Sequence, residues 1–349
     1  MTARSSALRQ WLAHRHGLDA AMLVLESIAD DASFRRYFRL RLPQPGGTRV
    51  VMDAPPEHEP SRPFVAIALA WANAGLPVPA IHAADLSRGF LELEDLGDTL
   101  LRRRLNDAAP AVQDALIDDA MALSVRIASQ PSTALPPYDR RRLAFELGLF
   151  PEWALDRWLG IAAPACFTAL CERLIQRLLG QPRVTTHRDY HPENLLLGAD
   201  DELAVIDFQG AWGGPLGYDP ASLLRDRNPP WPIARQHAWY ATHQALALEA
   251  GLCSERSTER YLCWIAEASA QRSIKVLGLF CRLALRDGKP GYLLRHQRHF
   301  LAHLRQAMAE LTAAGGADAP LWRAFDEWLD GEFEPRMQAQ LAALAGAAR

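Results

Sequence analysis

The sequence is poor in lysine and cysteine, and it contains no long apolar run. Lysine occurs only at positions 275 and 289, and the net charge is -3 at pH 7. Nucleic-acid-binding proteins usually carry a strongly basic stripe, so this composition predicts no nucleic-acid partner. No uninterrupted apolar stretch reaches the roughly 18 residues of a membrane helix, so we also expect no membrane partner.

Cysteine is scarce and shows no pairing pattern. The five cysteines are Cys166, Cys171, Cys253, Cys263 and Cys281. An odd number without CxxC spacing and with apolar neighbours predicts buried free thiols in a reducing compartment, and not a disulfide framework. Charged and histidine side chains interrupt residues 1–18, so this segment lacks the apolar core of a signal peptide. We therefore expect a cytoplasmic protein.

The element pattern changes near residue 95. A chain of 349 residues with 49% hydrophobic content can bury one or two cores. Before this point the pattern predicts a short N-terminal helix, several strands and one helix at residues 62–74, which together form a small α+β lobe. After a linker at residues 95–98, nearly all segments have helical periodicity, apart from one hairpin between residues 195 and 206. The predicted domains are residues 1–95 and 96–349.

The strongest functional pattern is HRDYHPEN at residues 187–194, followed by a hairpin. Two apolar runs around a polar, glycine-containing turn predict that hairpin. Antiparallel pairing then sets Asn194, which enters the hairpin, beside Asp207, which leaves it. Asp189 lies on a loop just before Asn194 and can reach the same point. The spacing therefore predicts two carboxylates and one amide that face a common space.

Oxygen groups of this kind suit magnesium that is bound together with phosphates. In a phosphoryl transfer, one carboxylate orients the attacking hydroxyl and accepts its proton, while metal ligands neutralise the phosphate charge. A loop aspartate that caps a turn before an unrelated hairpin is the simpler explanation of an isolated HxD pair. The complete order of HxDxxxxN, hairpin and IDF favours phosphoryl transfer.

HRDYHPEN followed by VIDF resembles the catalytic loop and metal-binding segment of the protein-kinase-like superfamily. His191 and the helical C-terminal half resemble its aminoglycoside-phosphotransferase branch. The resemblance implies an α+β, bilobal fold with a small mixed β-sheet N-lobe for the nucleotide and a mainly helical C-lobe for catalysis and acceptor binding. It also implies that ATP and Mg²⁺ are used, that Asp189 is the catalytic base, and that Asn194 and Asp207 hold the metal.

A third segment, GYDPAS at residues 217–222, resembles the part of that branch in which an aspartate braces the site from behind. The resemblance gives this role to Asp219. An N-cap at the start of a helix is an equally physical role for the same residue, and both interpretations stay open here.

The nucleotide-binding segments match the family less well. The turn within DASFRRYFR, residues 31–39, lies where the family has a glycine-rich phosphate loop, yet it has no glycine. Small side chains there still let backbone amides approach phosphate oxygens, although an ordinary hairpin turn is the alternative. FLELEDLG resembles the hinge whose backbone pairs with adenine. The predicted nucleotide-contacting residues are Ser33, Phe34, Arg35, Arg36, Glu94 and Leu96.

The third strand, residues 49–53, has no lysine to hold the α- and β-phosphates. We expect an arginine of the first sheet, Arg35 or Arg36 before Arg49, to contact the phosphates instead; the alternative is that the metal and the backbone suffice. Its planar fork would grip them differently from the point charge of lysine. The missing lysine also leaves a non-catalytic, nucleotide-binding pseudokinase as an alternative.

The ordered motifs resemble most the bacterial anomeric kinases that phosphorylate N-acetylmuramate and N-acetylglucosamine in cell-wall recycling. The acceptor expected from this resemblance is an amino sugar, and Arg225 and Arg272 are predicted to bind its lactyl carboxylate. Flat faces for the sugar ring are offered by Trp153, Trp158 and Trp212, for which a core position is the alternative. A kinase for an aminoglycoside, choline or a thioribose stays open, although the cations after Asp219 favour a neutral or anionic acceptor.

Overall fold

A computed structural model describes residues 2–30, 34–43, 47–198 and 201–347. The chain forms two compact units, the first of Met1–Asp107 with Glu193–Gln209 and the second of Ala108–Pro192 with Gly210–Arg349. These units do not coincide with the domains predicted from the sequence, because residues 96–107 and the hairpin segment pack with the first unit. The assignment of nucleotide binding to one domain and catalysis to the other stays a prediction.

The first unit is built on a five-stranded sheet of β1 (Val24–Asp30), β2 (Arg36–Arg41), β3 (Thr48–Asp53), β4 (Ile81–Asp85) and β5 (Phe90–Glu94). The strand order is β1-β2-β3-β5-β4, and every neighbouring pair is antiparallel, so the prediction of a mixed sheet is wrong. The helices of this unit are α1 (Ala3–His16), α2 (Arg62–Asn73) and α3 (Leu101–Asp107), with a short 3-10 turn at Ala20–Met22. The predicted helix at residues 62–74 and the predicted strands are thus found with small shifts at their ends.

Helix α1 covers one face of this sheet. The side chain of Thr2 caps its first turn and Gly17, with φ 63°, ends it in the left-handed conformation that glycine adopts easily. Leu8 and Leu12 of α1 pack in one core cluster with Val51 of β3 and with neighbouring strands. Because side chains alternate along a strand, Asp53 lies on the same face as Val51.

The hairpin of the first unit consists of β7 (Leu195–Leu197) and β8 (Leu203–Val205), as the sequence predicts. Main-chain bonds tie it to its unit, from Val205 N to Pro77 O at 2.8 Å and from Leu197 N to Thr99 O at 2.8 Å. The ring of Phe208, just after the hairpin, stacks on Phe64 of α2 with 4.9 Å between centroids. The residues that follow β8 are therefore held against α2.

The second unit is mainly helical. Its helices are α4 (Pro110–Ala128), α5 (Arg140–Leu149), α6 (Phe167–Leu179), α7 (Tyr218–Leu224), α8 (Ile233–Glu249), α9 (Thr258–Leu285), α10 (Gly291–Ala313), α11 (Ala319–Trp328) and α12 (Glu334–Ala347). Wide helical turns lie at Phe150–Leu159 and Leu329–Phe333, and a short 3-10 turn at Phe208–Gly210 begins in the first unit and ends in the second. The unit also contains an antiparallel pair, β6 (Arg183–Thr186) with β9 (Trp212–Pro215). The expectation that one hairpin is the single break in the helical region is therefore wrong.

Helix α9 is the central helix of the second unit, and the side chains of its middle turns are nearly all buried. Where it passes the end of α5, Gly278 lets the two backbones approach closely. A Cβ atom at this glycine would lie 2.3 Å from the carbonyl carbon of Leu149 and 2.5 Å from the amide nitrogen of Phe150. Only a residue without a side chain fits this crossing.

Within the described part of the chain, no helix combines the length and the apolar character needed to cross a membrane. All five cysteines are free, in agreement with the prediction of unpaired thiols. Only Cys281 is fully buried and the other four are half-buried, so the prediction of burial holds for one of them.

Candidate active site

The predicted catalytic loop begins directly after β6 in the second unit, and Asp219 binds its first backbone amides. One carboxylate oxygen of Asp219 accepts the amide of His187 at 2.6 Å, and the other accepts the amide of Arg188 at 2.9 Å. Asp219 lies in the first turn of α7, whose N-cap is Gly217 and has no side-chain cap bond. The predicted brace is therefore present, and the N-cap interpretation of Asp219 is wrong.

Asp189 follows these two braced amides and presents its carboxylate at the surface, with 54% of the side chain exposed. Arg272 of α9 lies beside it, with its guanidinium 3.9 Å from the Asp189 carboxylate. Desolvation raises the pKa of Asp189, but Lys275, Arg272 and the other nearby cations outweigh it and hold that pKa well below its usual range. The carboxylate is therefore ionised at neutral pH and can accept a hydrogen bond from a hydroxyl.

The Arg272 guanidinium is itself held by Asp226. Both side chains are buried, and the Arg272 guanidinium donates to the Asp226 carboxylate. Burial raises the pKa of Asp226, but Arg272 and other charges lower it to about 2, so the pair is ionised. This pairing fixes the orientation of a fork-shaped cation beside Asp189. Sequence reasoning missed Asp226, because its pairing with Arg272 joins positions that are far apart in the sequence.

Glu146 of α5 and Lys275 of α9 are two further charged groups near the catalytic loop that the sequence analysis did not select. The ammonium of Lys275 lies 3.9 Å from Glu146 and 3.4 Å from the hydroxyl of Tyr218. A signal for Lys275 does exist in the sequence, since it is a lysine within a strongly apolar helical segment. For Glu146 the i, i+4 spacing from Arg142 was the available signal.

The two predicted metal ligands lie together at the open end of the hairpin in the first unit. The carbonyl of Asn194 accepts the amide of Ile206 at 3.0 Å, which sets Asn194 beside the residue that precedes Asp207. Asp207 has φ 61°, a conformation that aspartate tolerates better than most residues, and Gln209 donates to its carboxylate. A carboxylate and an amide oxygen are hard ligands and fit Mg²⁺.

The predicted nucleotide-contacting residues at the start of β2 differ in their exposure and in their partners. Ser33 lies outside the described residues. Phe34 is 63% exposed and stacks on His58 with 4.6 Å between ring centroids. Arg35 pairs with Glu59 at 2.8 Å, and Arg36 binds Asp53, the carboxylate on the face of the sheet that α1 covers.

The role of either arginine in phosphate binding stays a prediction. Asp53, the partner of Arg36, is fully buried and also holds Arg4 of α1 at 2.6 Å. The side chain of Arg35 is 11% exposed, whereas that of Arg36 is 44% exposed. Each arginine is already paired with a carboxylate, so the choice between them stays a prediction.

The predicted hinge begins where β5 ends at Glu94. The amide of Glu94 donates to Ala80 O at 2.8 Å, so this amide is already used within the sheet. Leu96 is half-buried two residues later. Arg39 of β2 binds Asp95 at 2.6 Å and Asp98 at 2.7 Å, which ties the segment around Leu96 to the sheet. Contact of Glu94 and Leu96 with a nucleotide stays a prediction.

The predicted acceptor residues differ in their surroundings. Arg225 is buried, and its guanidinium donates to Gln236 at 3.0 Å and to Glu310 at 2.8 Å. These partners hold it inside the helical unit, and its contact with the acceptor stays a prediction. Trp158 is a core residue, whereas the half-buried Trp212 lies next to the catalytic loop.

The chain was compared with known proteins. The sequence profile described as "Phosphotransferase enzyme family" matches residues 24–260. An N-acetylmuramate/N-acetylglucosamine kinase of Pseudomonas putida is 40% identical over 311 residues, which cover 84% of this chain and 90% of the relative. A protein of the same name from Pseudomonas aeruginosa is 42% identical, over 80% of this chain and 82% of the relative.

Solved structures show the same fold at low sequence identity. A choline kinase from Cryptosporidium parvum Iowa II aligns with TM-score 0.59 and 12% identity, covering 92% of this chain and 98% of the other. The ADP-bound aminoglycoside phosphotransferase APH(2'')-Ib aligns with TM-score 0.57 and 12% identity, covering 86% of this chain and 99% of the other. The predicted α+β kinase-like fold class and the predicted family are thus confirmed.

Proposed function

Because the chain belongs to the phosphotransferase enzyme family, we propose that it is an ATP-dependent kinase that phosphorylates the anomeric hydroxyl of N-acetylmuramate and N-acetylglucosamine. The observation that carries the proposal is an ionised, surface-exposed Asp189 on a loop braced by Asp219. Two relatives at 40% and 42% identity bear the name of this activity and support the choice of acceptor.

In the proposed reaction, Asp189 accepts a hydrogen bond from the attacking hydroxyl and takes its proton as the bond to phosphorus forms. A base with a lowered pKa works best on an acceptor that is itself relatively acidic, since proton transfer follows the difference between the two pKa values. The ring oxygen makes the anomeric hydroxyl the most acidic hydroxyl of an amino sugar. The charges around Asp189 therefore suit an anomeric acceptor.

Asn194 and Asp207 would hold Mg²⁺ through their side-chain oxygens, with further ligands from the phosphates of ATP and from water. The metal, when bound, neutralises charge on the phosphates. Asp207 keeps its carboxylate in a fixed direction because its backbone conformation and the bond from Gln209 restrict it.

Arg272 is the proposed contact of the acceptor's lactyl carboxylate. It lies 3.9 Å from Asp189, and Asp226 fixes its guanidinium. An arginine fork can bind a carboxylate through two parallel hydrogen bonds. N-acetylglucosamine has no carboxylate, so Arg272 would favour N-acetylmuramate.

The proposal places the reaction in peptidoglycan recycling in the cytoplasm, where ATP is available. The five free cysteines fit a reducing compartment.

The proposal is tested by measuring ADP release with a panel of acceptors at fixed ATP and Mg²⁺. We expect turnover with N-acetylmuramate and N-acetylglucosamine and little with choline or kanamycin. Turnover of choline or kanamycin without turnover of either amino sugar would assign the protein to another acceptor. Nucleotide binding without turnover of any acceptor would identify a pseudokinase.

An Arg272→Met variant should raise KM for N-acetylmuramate far more than KM for N-acetylglucosamine.

A further inference from the structure

The backbone of Arg188, the residue before Asp189, has an unusual conformation. Among the described residues other than glycine, positive φ angles occur at Arg188 (74°), Asp201 (57°) and Asp207 (61°). Aspartate enters the left-handed region comparatively easily, because its short side chain can bond to the local backbone. The long side chain of arginine cannot form this local bond to the backbone. An arginine therefore keeps a left-handed conformation only where surrounding groups hold it.

Asp219 holds the backbone amide of this residue, and the side chain of Arg188 supplies a second hold. It is only 11% exposed, and its guanidinium donates to Glu146 at 2.7 Å. The guanidinium carbon lies 4.4 Å from the ring centre of Trp212 and 5.0 Å from that of Tyr138. A second guanidinium nitrogen lies 3.3 Å from Gly210 O. The guanidinium is thus fixed by one carboxylate and by two aromatic faces.

Glu146 is a rigid anchor for this guanidinium. Its side chain is 1% exposed, and it accepts bonds from Tyr138 and, at 3.2 Å, from Gln271 of α9. Burial raises the pKa of Glu146, but Lys275, Arg188 and the bond from Tyr138 lower it to about 2. A carboxylate that is ionised, buried and fully engaged cannot follow a moving loop, so the loop must follow it.

We propose that Arg188 is a positioning residue for phosphoryl transfer. Glu146 and Trp212 hold its guanidinium, and the left-handed backbone imposed at this point aims the carboxylate of Asp189. We call Arg188, Glu146 and Trp212 the Arg188 clamp. Asp219 holds the loop by its backbone amides, and the clamp holds it by a side chain, so the two anchors act on different atoms. The inference rests on the proposed role of Asp189 as the base.

Arg188→Met tests the clamp, with Arg142→Met as the matched control. Arg142 binds the same oxygen of Glu146 at 2.8 Å and lies 5.0 Å from the ring centre of Trp212, but it belongs to α5 and not to the catalytic loop. We expect Arg188→Met to lower kcat by about 10- to 100-fold, the effect of misplacing a reacting group by an ångström or less. KM for ATP and for the sugar should stay within about two-fold, since neither is bound by Arg188.

Arg142→Met should keep kcat within about two-fold of the parent enzyme, because it leaves the loop anchored. Equal losses in the two variants, or an unchanged kcat in Arg188→Met, would overturn the proposal. Thermal unfolding is measured for every variant. If Arg188→Met does not fold, Arg188→Lys replaces it, and a kcat equal to that of the parent would then overturn the proposal.

A double variant separates positioning from a general effect of charge. If Arg188 acts through Glu146, adding Glu146→Gln to Arg188→Met lowers kcat no further than the larger single effect, because both remove one interaction. Independent, multiplying losses would contradict the clamp. The kinetics use whichever acceptor the parent enzyme turns over. Failure of the amino sugars as acceptors therefore refutes the proposed function, whereas failure of these comparisons refutes the clamp alone.

Discussion

At the scale of single residues, the proposed chemistry depends on Asp189. Replacing it with Asn keeps its shape but removes the proton acceptor and a negative charge. We expect Asp189→Asn to lower kcat by about 100-fold or more, the range that general-base catalysis contributes. Nucleotide affinity should be largely kept, and a binding titration beside steady-state kinetics checks both expectations. Near-normal turnover would remove Asp189 from the role of base.

The proposed metal ligand Asp207 has a matched control on the same hairpin. Asp207→Ala should abolish Mg²⁺-dependent turnover without unfolding the protein, because the residue lies at a hairpin end. Asp201 has a similar backbone conformation, with φ 57° against 61°, but it lies at the hairpin turn. Asp201→Ala should keep turnover within about two-fold of the parent, since no phosphate charge depends on it. Titration of turnover against Mg²⁺ checks both variants, and an unchanged profile in Asp207→Ala would contradict the assignment.

Sequence spacing predicts those site residues that are brought together by a short structural element. Asn194 and Asp207 can be placed together because a hairpin brings the residues at its two ends side by side. Asp219 required the resemblance, because its bonds to the amides of the catalytic loop cross a long loop. Glu146 and Lys275 meet only through the packing of α5 on α9, and no short pattern encodes that contact.

At the scale of secondary structure, α9 and α5 cross at Gly278. Gly278→Ala should destabilise the protein by about 3 kcal/mol or more, because the new methyl group meets backbone that cannot move aside. Gly148→Ala in α5 is the matched control, since a Cβ there has no atom within 4 Å. The control should be stabilised by roughly 0.5–1 kcal/mol through helix propensity. Urea unfolding of both variants measures the difference, and equal stabilities would contradict the close crossing.

Strong periodicity made most helices predictable, whereas β6 and β9 were missed. Two of the four residues of β9 are glycines, Gly213 and Gly214, so side-chain alternation cannot appear in the sequence. At Gly214 a side chain would also be crowded, because a Cβ there would lie 2.7 Å from the hydroxyl of Thr186 on β6. The pairing that carries the chain into the catalytic loop is therefore set by packing and not by pattern.

At the scale of the whole molecule, buried histidines predict how stability depends on pH. Burial lowers the pKa of His243 and of His303 to about 3 and that of His191 to about 4, from an ordinary value of 6.5. The unfolded chain takes up these protons near pH 6.5 and the folded protein does not. The stability contributed by the neutral rings is complete above that pH and is lost as the pH falls toward 3.

Each of these three histidines should cost roughly 1.4 kcal/mol for every pH unit below 6.5. The free energy of unfolding should therefore fall by roughly 4 kcal/mol between pH 7.5 and pH 5.5. Urea unfolding at both pH values measures it. His243→Gln should show about two thirds of this fall relative to its own stability at pH 7.5. A free energy of unfolding that is constant or rises toward pH 5.5 would contradict the account.

Phosphorus NMR of the product formed from ATP and N-acetylmuramate tests the central proposal most directly. The charges around Asp189 and the family relationship lead us to expect a sugar phosphate whose phosphorus couples to the anomeric proton and carbon. The same product type is expected from N-acetylglucosamine. A phosphate on the 6-hydroxyl would contradict the proposed use of Asp189 as a base for an acidic hydroxyl, and an absence of any sugar phosphate would contradict the proposed acceptor.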